Sequence, residues 1–355
     1  MKTEHIVTLD ESYDYTELLE PLWYVEAASL IQRLICNETL EVKRAYGLNS
    51  LFANKLSAYK QFEQKVLTRG RQILEGSPQL SRYPMECRED SAFFKILYIS
   101  LFMYYRTLGL LDDPIQFKRR FFMSLFAEFD EARNDNLEDF AEYYKAAVKE
   151  VEQEKDLMVL LDFHMHFEKR FEELSEVLIK LADMIQQEAQ AIRFLWEHMT
   201  ASQLIDQTNE LMAGHVSTSS YTVRHVFPGL IYPNGTGLRD NQLGHPLLIV
   251  GILSYDIIQL PEKTHSLEWK TTLLKMLGDP VRYQILLKSK ERPVYLTELA
   301  RELDLKPSTL SHHLNALNNE KLIVWDVSDS ESRRQYYSLN RETVAELLAE
   351  LNELL

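Results

Sequence analysis

The stretch Glu298 to Leu317 (ELARELDLKPSTLSHHLNAL) constrains this chain more than any other. Leu296, Leu299, Ala300 and Leu303 recur at helical spacing and then meet a tight Asp304-Leu305-Lys306 connection. A second amphipathic segment follows, with Leu310, Leu314 and Leu317 on one face and Ser308, Thr309, Ser311, His312 and Asn315 on the other. Hydroxyls, an imidazole and an amide donate and accept at base edges. Two short helices joined by a turn, the second polar outward, make a helix-turn-helix, with Ser308 to Asn318 as the helix that enters a major groove.

The flanks extend the pattern. Leu267 to Leu277 reads as a helix stopped by Gly278-Asp279-Pro280, and Pro280 opens the next, which buries Val281, Ile285 and Leu286. After the motif, Lys321 to Val327 reads as a strand, Ser328 to Ser332 as a turn and Arg333 to Leu339 as the returning strand. Arg341 to Leu354 is a last helix. Helices followed by a hairpin predict a winged helix-turn-helix over 266–355.

Charge sharpens what such a domain can do. The chain of 355 residues carries a net −15. Residues 266–355 hold 12 Lys+Arg and 14 Asp+Glu, a net of −2, and without the tail after Arg341 the balance is 12 against 10, a net of +2. The acidic excess lies in front. Weak non-specific DNA affinity follows, because that affinity comes from phosphate neutralisation.

The four blocks Leu277-Gly278-Asp279-Pro280-Val281-Arg282, Glu298-Leu299-Ala300, Pro307 to Leu314 and Arg333 to Leu339 resemble, in that order, the arsenic-repressor (ArsR) family of bacterial winged-helix regulators. The resemblance implies a homodimeric, sequence-specific transcriptional regulator whose partner is double-stranded DNA. It puts Ser308 to Asn318 in the major groove and the hairpin at Ser328 to Ser332 beside it as the wing. DNA contacts are then expected from Lys306, Ser308, Thr309, Ser311, His312 and Asn315, with Arg333 and Arg334 neutralising backbone at the wing base; His313 is expected to pack inward. The chain departs from the family in four ways. Lys306 stands where a small hydroxyl cap is usual, a loss of roughly 1 kcal/mol. The wing tip is acidic and lacks glycine. The segments that would carry metal-sensing cysteines and histidines have none, so no metal and no cofactor are expected. And some 260 residues precede the domain, as in long members with a helical N-terminal part.

Those residues predict a mainly α fold: a large helical N-terminal domain over 1–260 with a small β-hairpin sheet. Scarce Gly and Pro, 11 each, suit helices. Helices are expected over Tyr15 to Ile35, with Thr16 as cap, and over Ser50 to Leu74, ended by Gly76-Ser77-Pro78. Ser91 to Leu111 is apolar nearly all round and reads as one central helix. Asp113-Pro114 begins another bearing Phe117, Phe121, Phe122, Phe126 and Phe129, and a further helix opens at Asn136. From Phe167 to Met199 apolar residues step by four and three, broken only by Glu188. That seam fits an intermolecular coiled coil or a helix buried in its own domain; Val177, Met184 and Trp196 widen it and favour burial. Two strand-like runs, Thr222 to Pro233 and His245 to Tyr255, are expected as a hairpin around a turn at Asn234 to Gly237, joined by a strand at His5 to Leu9.

The N-terminal domain is read as a dimerisation and signal-reception module, responding to a small apolar effector or a protein partner. If the aromatic band forms a pocket, Tyr98, Phe102, Tyr105, Phe122 and Phe126 would line it, with Tyr143 and Tyr144 among its polar anchors; plain core packing is the competing reading. An acidic protein-docking module is the alternative function, and an enzyme with an appended DNA-binding domain a more distant one. No His-Glu-x-x-His, Gly-x-Ser-x-Gly or phosphate-binding glycine loop occurs, so no enzyme is expected. In Asp162-Phe-His164-Met-His166, residues two apart on a helix point away from each other, against a shared metal ion. Two cysteines, Cys36 and Cys87, read as separate core thiols in a reducing compartment. The start lacks an apolar leader and the longest apolar run, Ile96 to Tyr105, is too short to span a bilayer, so a cytoplasmic, non-membrane protein is expected.

Overall fold

The computed structural model describes residues 7–10, 19–38, 50–88, 91–109, 113–125, 153–212, 221–239, 247–254, 256, 267–326 and 336–352. These are mainly α-helical with small sheets. Backbone contacts divide the chain into two units: Glu11–Leu204 with Val223–Ile257, and Ile258–Leu355 with Met1–Asp10 and Ile205–Thr222.

In the first unit, α1 (Trp23–Cys36), α2 (Ser50–Glu75), α3 (Ala92–Ile96), α4 (Ile99–Thr107), α5 (Pro114–Leu125), α6 (Glu154–Met165) and α7 (Phe167–Ala189) follow one another. Helix α7 packs against α1, α2 and α4. Its Leu174, Leu178, Leu181 and Ile185 are buried, so the four-three seam is consumed within the unit and α7 is a core helix. Glu188, the break in the seam, pairs with Lys65 and Arg69 of α2. The helix gives way to a 3-10 turn, Gln190–Leu195, whose Ile192 and Leu195 stay buried.

Two helices differ from expectation. Residues 19–22 are not helical and α1 begins at Trp23, because Pro21 lacks an N–H and steers Glu20 away from the helical region; Thr16 lies outside the described residues. The run from Ser91 is two helices with a bend at Leu97-Tyr98, the first capped by Ser91 Oγ, which accepts from the Phe94 N–H at 3.2 Å. Phe117 and Phe121 of α5 meet Phe102, Phe163 and Phe167 with ring centroids 5.4–5.7 Å apart where Phe102 meets Phe117 and Phe121, and Phe121 meets Phe163 and Phe167. Phe129, Tyr143, Tyr144 and the helix expected at Asn136 lie outside the described residues.

The sheet corrects the hairpin. Strands β3 (His225–Gly229) and β5 (Leu247–Gly251) do lie side by side, but parallel, with Val226 beside Leu248. The stretch read as a turn supplies β4 (Thr236–Arg239), antiparallel on the other edge of β5. A tight return after β3 is prevented because helix side chains hold the backbone that follows it. Both Glu26 carboxylate oxygens accept, from the N–H of Leu230 at 3.0 Å and of Ile231 at 2.7 Å. Tyr59 donates to the Leu230 carbonyl at 2.8 Å and Arg33 to the Ile231 carbonyl at 2.7 Å. Four backbone groups thus find partners without a strand. Gly251 closes the arrangement: a Cβ there would lie 2.3 Å from the Pro233 carbonyl. Strand β1 (Val7–Leu9) does not join this sheet; it pairs with β2 (Tyr221–Val223), and the Asn209 amide of α8 (Ala201–Met212) bonds both the N–H and the carbonyl of Val7.

Cys36 and Cys87, expected as separate thiols, form a disulfide with Cα atoms 4.7 Å apart. The end of α1 meets the extended stretch before α3, a proximity that a sequence separation of 51 does not reveal. No helix among the described residues is long and apolar enough to cross a membrane.

Burial pushes the Glu26 carboxyl up to about 7, with the two N–H donors pulling the other way. A folded-state value above the ordinary 4.5 means the native state holds the proton longer than the unfolded chain. The contribution of this group to stability is therefore full below 4.5 and is lost as pH rises through about 7. Chemical denaturation of wild type across that range should show the decline, and Glu26→Gln, which cannot ionise, should flatten it.

Candidate nucleic-acid interface

The second unit ends in α9 (Leu267–Leu277), α10 (Pro280–Glu291), β6 (Val294–Tyr295), α11 (Leu296–Leu303), α12 (Pro307–Asn319), β7 (Ile323–Asp326), β8 (Tyr336–Leu339) and α13 (Arg341–Asn352). Strand β8 lies between β6 and β7, antiparallel to both. This is the winged helix-turn-helix arrangement.

Local chemistry sets each helix. Asp279 caps α10, its carboxylate accepting from the N–H of Val281 and Arg282, each at 3.0 Å, and Pro280 takes the first helical position. The Arg282 N–H, foremost, holds the Asp279 carboxyl below the usual carboxylate range. Helix α11 ends where Asp304 turns left-handed at φ 53°, and the Leu305 N–H reaches back to the Ala300 carbonyl at 3.0 Å. Lys306 then precedes α12 without a side-chain cap bond. Leu299, Leu310, Leu314, Leu317, Ile285, Leu322 and Ile323 share one buried core.

That core fixes which face of α12 looks outward. Thr309, His312 and Asn315 are exposed along it, Ser311 is half-buried, and Lys306 is exposed just before the helix. Ser308 is the second residue of α12. The side chains of Lys306, Thr309, His312 and Asn315 make no hydrogen bond or ion pair among the described residues. His313 turns inward, half-buried, with Nδ1 4.0 Å from the Asp279 carboxylate. Asn318 is buried and donates from Nδ2 to the Ile323 carbonyl at 3.1 Å, which ties the last turn of α12 to β7. Arg333, Arg334 and the wing turn Ser328 to Ser332 lie outside the described residues.

Two cations of α10 and the residue following it are engaged inside the domain. Arg292 forks onto Glu298 at 2.7 and 2.9 Å and reaches Glu302 at 3.1 Å, and Lys288 pairs with Glu302. The Lys288 ammonium, then Arg292, hold the Glu302 carboxyl below its usual range. A charge count over 266–355 cannot see that these cations are already paired. Arg301, exposed on α11, is a cation that motif reading passed over, since only its exposure marks it.

The other candidate residues lie in the first unit. Phe102, Tyr105 and Phe122 are buried in the aromatic core, while Tyr98 is 42% exposed; Phe126 lies outside the described residues. Asp162 accepts a fork from Arg170 at 2.7 and 3.0 Å and faces His166, while His164 packs on Phe122. Burial, and then Lys118, push the His164 imidazole down to about 4.

Lys321, in the turn after α12, adopts φ 57°, a left-handed conformation that costs a side-chain-bearing residue roughly 1–2 kcal/mol. Lys321→Gly should raise the stability of the domain by about 1 kcal/mol, and Asp279→Ala should lower it by a similar ~1 kcal/mol; urea titration reads both.

Residues 279–323 match the family model described as bacterial regulatory protein, arsR family. The chain is also 36% identical over 77 residues to the HTH-type transcriptional regulator NmtR of Mycobacterium tuberculosis (strain ATCC 25618 / H37Rv), a match covering 22% of this chain and 62% of that protein. The chain thus spans under two thirds of that relative's length. No solved structure matches it significantly. The arsR-family match runs from the Asp279 cap through all of α10, β6 and the helix-turn-helix to the first residue of β7, so residues 279–323 of this chain are an arsR-family helix-turn-helix domain.

Proposed function

We propose that the protein is a sequence-specific DNA-binding transcriptional regulator of ArsR type. The observation that carries this reading is the outward row on α12: Thr309, His312 and Asn315, exposed and unengaged, on a helix whose opposite face is locked into the domain core. In this reading α12 lies in a major groove, with Ser308, Thr309, Ser311, His312 and Asn315 reading base edges. Lys306, Arg301, Arg333 and Arg334 neutralise phosphates. Few cations serve this role, so affinity should fall only modestly with salt.

The working form is proposed to be a homodimer. Leu274 of α9, Tyr283 and Leu287 of α10 and Leu348 of α13 are large apolar side chains left exposed on this small domain, and Tyr283 and Leu287 share one helix face. The helical N-terminal unit is proposed to receive the signal, from a non-metal ligand or a protein partner, with no catalytic role. The buried packing of Phe102, Tyr105 and Phe122 favours a protein partner over an aromatic-lined pocket. DNA as the target implies a cytoplasmic protein.

Selection of genomic fragments by the purified protein tests the reading directly, and a palindromic site with half-sites about one helical turn apart is expected. His312→Ala should relax base preference at its position by about 1–3 kcal/mol, with unchanged thermal stability, and Ser308→Ala should weaken discrimination in the same way. Wild-type discrimination in both variants would mean that α12 is not the reading helix. Sedimentation at micromolar concentration should give twice the chain mass, and a monomer would remove the dimer.

A further inference from the structure

The disulfide of the helical unit is placed for chemistry that the DNA-binding domain does not use. Cys36 and Cys87 are the only cysteines in the chain, and they are bonded to each other. Cys36 is the last residue of α1 and half-buried; Cys87 is exposed, in the extended stretch 84–88. Disulfides whose sulfurs are reachable by an incoming thiolate are the labile ones.

The bond also sits where its loss would be felt. On one side, Arg33 of the same last turns of α1 is buried against Tyr59, Glu63 and the Ile231 carbonyl, so the end of α1 is fixed. On the other, stretch 84–88 is held by the exposed pair of Glu86 with Lys155 and by Arg88, which pairs with Glu86 and with the buried carboxylate of Asp156. Asp156 in turn accepts from the Ala92 N–H at 3.0 Å, at the start of α3. The exposed Glu86–Lys155 pair contributes little. The covalent bond ties this stretch to the fixed end of α1, and it closes a loop with a sequence separation of 51 that contains all of α2.

We propose that Cys36–Cys87 is a reversible thiol–disulfide switch of the helical unit, opened in the folded protein by a dithiol reductant, small or protein-borne. A thiolate of the reductant attacks Cys87 Sγ, the sulfur–sulfur bond breaks, and the Cys36 sulfur leaves as a thiolate and takes up a proton. The second thiol of the reductant attacks the mixed disulfide and releases the Cys87 thiol. Two electrons and two protons pass to the protein, and the reductant leaves as its own disulfide. Opening frees stretch 84–88 from α1 and loosens the start of α3. The inference concerns the helical unit alone and stands independently of the DNA-binding reading.

The test uses the full chain without denaturant. Dithiothreitol at millimolar concentration, followed by iodoacetamide and intact-mass measurement, should add two carbamidomethyl groups, whereas reduced protein freed of dithiothreitol and treated with oxidised glutathione before the iodoacetamide should keep the unmodified mass. Reduction should speed tryptic cleavage at Arg82 and Arg88 several-fold and lower the thermal midpoint by several degrees, as expected for a loop of this size. Cys87→Ser should already show the lower midpoint and no response to dithiothreitol. Alkylation that requires urea would make the bond a closed structural staple and overturn the proposal. So would two free thiols in protein kept in air, or reduction that leaves both proteolysis and midpoint unchanged.

Discussion

The helical unit depends on one polar contact. Glu26 and Arg33, two turns apart on α1, together with Tyr59 of α2, satisfy every backbone N–H and carbonyl of Leu230 and Ile231. Removing one partner would leave a buried group unsatisfied, which costs more than the bond is worth when made. Arg33 is itself paired with Glu63, so the buried charge is not isolated. Because the chain after β3 is held by helices, β5 rather than β4 lies beside β3, and Gly251 must accept the close approach of Pro233. The sheet order is a consequence of the helix contacts.

The DNA-binding domain depends instead on apolar periodicity. Leu310, Leu314 and Leu317 enter the core, and their spacing sends Thr309, His312 and Asn315 to the other side of α12. Asn318 shows where the outward polar row stops: at the end of the helix it turns in and holds β7. His312 and His313 divide the same way, one outward and one toward Asp279. Such a helix presents few groups, and neighbouring Lys288 and Arg292 are neutralised by Glu298 and Glu302. Recognition would then rest on base contacts more than on general attraction to phosphate.

What could be read in advance followed from local rules. The bounds of α2, α9 and α11, the Pro280 start of α10 and the tight connection at Asp304 all come from stops, turn residues and helical spacing within a few residues. The outward row of α12 was legible for the same reason. The bend at Leu97-Tyr98 was not, because an all-apolar run carries no period to break. Nor were the pairing of Arg292 with Glu298 and Glu302 or the exposure of Arg301, since a charge in a sequence does not show its neighbours.

The amino-acid sequence by itself determined a mainly helical chain ending in a winged helix-turn-helix, because helix spacing, capping and turn chemistry act over a few residues. Only the tertiary structure decided that the seam of α7 is an internal core, that β3 and β5 run parallel, and that Cys36 meets Cys87. Each of these joins residues distant along the chain. Such meetings are set by which buried groups need partners and which surfaces fill space together, and no local pattern encodes them.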